Sequence, residues 1–196
     1  MEKKPRYLFL VGAFLLVISY FVPIWHIDLD APQYPEGIGI YIWIDQITGE
    51  NPNDLNNLNN LNHYIGMKKI IPESIPELKI LPFIVAGMMV LAGLAFALNK
   101  RPLYVIWLAF FVVLLLIGLY DFYMWEYDYG HNLDPHAAIK VPGMSYQPPL
   151  IGSKQLLNFI STSLPAIGGV IWGLSLLSSL VALFWDKRLR NNDALV

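Results

Sequence analysis

Four stretches of the chain are too apolar to fold against water. They cover about residues 7–25, 80–98, 103–125 and 158–185, and each approaches or exceeds the ~20 residues a helix needs to cross the ~30 Å hydrocarbon core of a bilayer. Composition agrees: 56% of residues are hydrophobic and 14% charged, against about 25% charged in ordinary soluble domains. The fold class expected from this pattern is an all-α membrane protein, one domain over residues 1–196 with four transmembrane helices. Outer loops then run over about 26–79 and 126–157. The first run has the basic front of a signal peptide, but Phe21-Val22-Pro23-Ile24-Trp25 contains no small-x-small cleavage site, so it reads as a retained helix.

Charge sets the expected orientation. Lys3, Lys4, Arg6, Lys100, Arg101, Lys187, Arg188 and Arg190 flank the runs on one side, and every arginine is among them. The positive-inside rule puts that side, and both termini, in the cytoplasm of a bacterial inner membrane. The other side carries the lysines Lys68, Lys69, Lys79, Lys140 and Lys154, most of the carboxylates, and all four histidines, His26, His63, His131 and His136. The net charge of −2 gives no reason to expect nucleic acid as a partner. With no cysteine in the chain, disulfides, thiolate metal sites, iron–sulfur clusters and thiol redox chemistry are excluded.

The outer loops carry structure of their own. Trp25 to Asp30 and Ile38 to Asp45 alternate apolar and polar residues, with turn formers from Ala31 to Gly37 between them. A β-hairpin is expected, with His26, Asp28 and Asp30 on one face. In Asn53 to Met67, leucine recurs every third residue, which suits a short helix with Asp54 as its N-cap. A helix continued to its end places His63 and Met67 one turn apart on one side. The second loop, proline-rich from Pro135 to Pro149, is expected to follow a fixed extended path.

These residue types suggest metal chemistry. Thioether sulfur selects Cu(I), and imidazole suits copper generally. The expected ligands are His63 and Met67, with His26, His131, His136 and Met144 completing the set. A second constellation, the carboxylates Asp28, Asp30, Glu36, Asp128 and Asp134, lacks the loop pattern of a calcium site and reads as a solvated acidic face. Asp121, near the outer end of the third run, reads as an interfacial residue whose carboxylate reaches water. The remaining runs hold no ionisable residue, which argues against a proton-coupled pump. Gly169 and Gly173 form a GxxxG suited to close helix packing, within the chain or between copies of it. No nucleophile elbow, zinc-protease, P-loop or dinucleotide motif stands in a usable context, so a non-enzymatic role is expected.

Three strings extend the reading: WHIDLDAPQYPEG from Trp25, LNHYIGMK from Leu61, and GHNLDPHAAIKVPGMSYQPPLIG from Gly130. With four spans, they resemble small membrane proteins encoded near nitrous oxide reductase maturation genes in Bacteroidetes-type bacteria. The resemblance implies an accessory protein that supplies Cu(I) to, or otherwise supports, a periplasmic copper enzyme or copper chaperone. Two other roles fit the loops: a scaffolding subunit that docks a periplasmic partner, or a membrane electron relay.

Overall fold

The computed structural model describes residues 1–193, and it corrects the expected all-α architecture. Five α-helices are joined by a five-stranded antiparallel sheet of order β3-β2-β1-β5-β4. The helices are α1 (Lys3–Phe14), α2 (Asp54–Ile65), α3 (Pro76–Leu98), α4 (Arg101–His131) and α5 (Ile167–Asp193). The strands are β1 (Trp25–Ala31), β2 (Tyr34–Ile42), β3 (Ile47–Gly49), β4 (Gly152–Leu156) and β5 (Phe159–Pro165).

Three helices, not four, are long and apolar enough to cross a membrane among the described residues: α3, α4 and α5. The first apolar run falls short because its α-helix stops at Phe14 and continues as a 3₁₀ segment over Leu15–Tyr20. The twelve α-helical residues rise ~18 Å and the six 3₁₀ residues about 12 Å more, so the run traverses the bundle as a broken segment and not as one long helix. The fourth run starts later than expected. Its first part, Phe159 to Pro165, alternates Phe159, Ser161 and Ser163 on the buried side with Ile160, Thr162 and Leu164 on the other. That is a strand's period of two, and Pro165 ends it before a helix can begin.

The helices pack with the first segment into one core. Phe9 meets Tyr104 and Trp107 edge-on at 4.8 and 5.0 Å, and Trp107 donates its indole N–H to Met88 O at 2.8 Å. Ala92, Ala95, Phe111 and Ala182 fill the space around them. At one end of this bundle the N-terminal amine donates to Asn99 Oδ1 at 2.7 Å, and Glu2 N–H donates to Asp186 Oδ1 at 2.7 Å. Arg6 donates to Phe96 O and lies over the Phe96 ring. The basic flanks are thereby gathered at one end, as their spacing along the sequence requires.

The sheet occupies the other end. Ile27, Leu29, Ile38, Ile40, Leu156 and Phe159 form its inner face and pack with Leu58 and Ile70 in a second core. Helix α4 reaches this core because its 31 residues rise ~46 Å, well beyond a ~30 Å hydrocarbon layer. About twenty residues from Leu103 would suffice to cross such a layer, which would leave the turns from Phe122 to His131 beyond it. Phe122, Trp125 and Tyr129 in those turns lie under the sheet.

Helix α2 is pinned at both ends. Asp54 is its first residue rather than its cap, and the buried carboxylate accepts from Asn51 N–H at 2.9 Å and from Gly39 N–H at 3.2 Å. This ties the helix to β2. At the other end Gly66 adopts a left-handed conformation, φ +83°, and Met67 N–H turns back to Asn62 O at 2.8 Å. The second loop docks on this cap: Asp134 N–H donates to Gly66 O at 2.8 Å and Ile139 N–H to Tyr64 O at 2.9 Å.

A side chain at Gly66 would be strained by its φ, and its Cβ would sit 3.0–3.1 Å from Asp134 backbone atoms. Gly66→Ala should therefore cost about 1–3 kcal/mol and release the 134–139 segment. Denaturant melts in detergent and limited proteolysis of that loop would show both effects.

Candidate metal centre

Strand β1 separates its residues by parity. Ile27, Leu29 and Ala31 are buried inward, which turns His26, Asp28 and Asp30 to the outer face, as the alternation predicts. Across the ladder His26 pairs with Tyr41 and Asp28 with Gly39. Glu50 follows β3, and its N–H donates to Gly39 O at 2.8 Å, which brings the carboxylate back over β2. A Cβ at Gly39 would lie 2.2 Å from Glu50 Oε2 and 3.0 Å from His26 Nε2. Glycine at this outward strand position is what leaves room for the two side chains to meet.

His26, Asp28 and Glu50 each offer a ligand atom, and all three atoms lie within 4.8 Å of one another. They are the one such group of three His, Asp or Glu side chains among the described residues. His26 Nε2 and Glu50 Oε2 are 3.3 Å apart, close to the separation of two ligands on one tetrahedral ion with ~2.0–2.1 Å bonds. Asp28 needs only a side-chain adjustment to join them. Tyr41 supports the pair by stacking its ring on His26 at 4.6 Å and donating its hydroxyl to Glu50 Oε1 at 3.2 Å. Such outer partners fix ligand orientation.

The local electrostatics favour a cation. Partial burial holds the Asp28 carboxyl above its ordinary range; the nearby His26 opposes that shift, while the charges of Glu50 and Asp30 add to it. Two carboxylates and an imidazole sharing a small recess are relieved by a positive ion. One nitrogen and two oxygen donors, with room left for water, suit a borderline divalent ion such as Zn²⁺ or Cu²⁺.

The structure groups the expected ligands differently. His26 stands with Asp28 and Glu50. His63 is exposed on the last turn of α2, its ring 6.0 Å from that of Tyr64. Met67 lines a cavity beneath the sheet. The helix does not carry these two as neighbours one turn apart, because Gly66 ends it between them. His131 stacks on Tyr127 at 4.0 Å, and His136, 90% exposed, faces Asp134 at 3.3 Å. Met144 is half-buried in the second loop, where its N–H donates to Val141 O at 3.1 Å. Gly169 of the GxxxG is used inside the chain, where a Cβ would lie 2.5 Å from Ile24 O, whereas nothing lies within 4 Å of that position at Gly173.

The residue least visible in the sequence is Glu50, which reads there as one more outer carboxylate. The available signal is Gly37 and Gly39 at outward positions between the inward isoleucines of β2, because such glycines mark a face that another group approaches.

Gly39→Ala should destabilise the protein by about 1–3 kcal/mol by forcing Glu50 and His26 apart. Gly173→Ala, with open space around it, should not. Thermal melts of the two variants side by side would test this contrast. Compared with protein families and with curated proteins, the sequence matches no family model and no individual protein.

Proposed function

We propose that this chain is a non-enzymatic accessory protein of the bacterial cytoplasmic membrane that holds a divalent transition metal at its outer face. Helices α3, α4 and α5 anchor it in lipid, and the first segment, α1 with its 3₁₀ continuation, runs the length of the bundle beside them from Asn99 to Gly168, which leaves both termini on the cytoplasmic side by the positive-inside rule. The sheet then stands in the periplasm and presents the metal to a partner there, a copper enzyme or copper chaperone. The observation that carries this reading is the convergence of His26, Asp28 and Glu50 within 4.8 Å over a glycine recess.

Two features favour handling over catalysis. The ligands lie on an open sheet face, with the His26 and Glu50 side chains 28% and 42% exposed, so the ion is accessible to another protein. Three ligands also leave coordination positions free for an incoming donor. Copper remains the first metal to test, in its divalent state: Cu²⁺ binds N/O sites most tightly of the first-row divalent ions. A site without thioether has no built-in preference for Cu(I).

Calorimetric titration of the detergent-solubilised protein should show one Cu(II) or Zn(II) site. His26→Ala and Glu50→Gln should each weaken it at least tenfold, roughly 1.4 kcal/mol or more. His63→Ala and Met67→Ala should leave it intact. A divalent site unaffected by His26→Ala, or a tight Cu(I) site lost with His63 and Met67, would overturn the assignment.

A further inference from the structure

Beneath the sheet, on its opposite face, a few buried polar groups border an otherwise apolar cavity that the metal reading does not use. Phe122, Trp125, Glu126 and Tyr129 recur at i, i+3, i+4 and i+7 on the projecting end of α4, the spacing of one helix face. Three of these are the aromatic floor of the second core; the fourth is a carboxylate. Glu126 is 0% exposed, and neither of its oxygens has a hydrogen-bond partner among the described residues. Of the other buried groups that share that condition, two lie beside it, the hydroxyls of Tyr146 and Ser161. All three line one cavity of about 50 Å³, whose walls include Leu29, Trp125 and Phe159.

The elements that bring them there are fixed. Tyr146 N–H donates to Gly130 O at 2.9 Å, one turn beyond Glu126. Ser161 pairs with Leu29 in the central β1–β5 ladder. From α2 the cavity receives the amide of Asn62, which donates to Lys68 O at 3.3 Å. Its titratable lining groups are Glu126, Tyr129 and Tyr146, and no lysine, arginine or histidine lines it. The Tyr129 hydroxyl is engaged with Lys69 O at 3.1 Å.

We propose that this cavity binds one monovalent cation, Na⁺, K⁺ or NH₄⁺, through the Glu126 carboxylate and the Tyr146 and Ser161 hydroxyls. Charge selects the class. A single buried carboxylate with no cationic neighbour becomes neutral with one positive charge, whereas a divalent ion would leave net charge in an apolar shell. Size agrees, because a cavity of this volume takes an ion with a water or two but is far below the ~150 Å³ that holds a benzene. The aromatic walls add electron-rich surface that attracts a cation.

The proton is the natural competitor. Outside the spanning stretch and deprived of solvent, the Glu126 carboxyl is pushed up by burial to about 8. A folded-state pKa raised from 4.5 to about 8 contributes stability that is fully present below the lower value. That stability is lost as pH rises through the upper one. A cation occupying the site above that range restores what deprotonation removes.

The test uses the full chain in detergent with a chelator present, so that the outer metal cluster is empty of divalent ions. Thermal unfolding is compared in equimolar NaCl, KCl, NH₄Cl and choline chloride at about pH 6 and about pH 9. At the higher pH at least one of the three small cations should raise Tm over choline by roughly 3 °C or more; at the lower pH the gap should close. Glu126→Gln should abolish it, and Tyr146→Phe or Ser161→Ala, which keep the carboxylate, should at least halve it. His26→Ala should leave it unchanged, which separates this site from the outer cluster. Equal Tm in all four salts would mean that the cavity holds water only. A gap that survives Glu126→Gln, or that disappears with His26→Ala, would place the effect elsewhere; each of these results overturns the proposal.

Discussion

The junction between bundle and sheet is the constraint on which the rest of this structure depends. Pro23 O accepts from Gly168 N–H at 2.8 Å, and Ile24 O from Ala166 N–H at 3.1 Å. Directly beyond, Trp25 of β1 pairs with Pro165 of β5. The chain therefore leaves the first helical segment and enters α5 through one hydrogen-bonded ladder. The close contact of Gly168 and Gly169 with the Pro23 and Ile24 backbone lets the two chains run that near. Bundle and sheet cannot move independently there, because the same residues belong to both.

Once the junction places β1 at the centre, the remaining architecture follows from surfaces that need covering. The inner face of the sheet is apolar and open to solvent unless something lies against it. The long α4 supplies one cover and α2 the other, held by the Asp54 carboxylate and by the loop docked on Gly66. Edge strands β3 and β4 are short, which limits the unpaired backbone offered to other chains.

Much of this is legible in the sequence, and what is not has a physical reason. Helices α3 and α4 announce themselves because their runs are long, apolar and bounded by Asn99-Lys100-Arg101. The first hairpin is equally visible, since Ile27 and Leu29 alternate with His26 and Asp28 on either side of a turn. Hydropathy alone misreads the fourth run. It sums composition without period, and Phe159 to Pro165 is apolar enough to be joined to α5 although it alternates as a strand. The first run misleads for a different reason: it is apolar for long enough, but its α-helix ends at Phe14. The outer cluster is half legible. His26 and Asp28 follow from local alternation, while Glu50 arrives by a non-local return across Gly39. Glu126 is hidden by its chemistry, because a carboxylate near a run of aspartates and tyrosines reads as surface unless the aromatic stripe around it is noticed.

Because β1 is shared, its seven residues carry two environments a single peptide unit apart. His26 and Asp28 look out on the recess they share with Glu50, and Ile27 and Leu29 wall the interior cavity. Side chains on a strand exchange faces with every one-residue displacement. An insertion or deletion within β1 would thus invert both sites at once, submerging an imidazole and a carboxylate in the apolar core and stranding two aliphatic side chains in water. The strand tolerates substitution at individual positions far better than any change in its length.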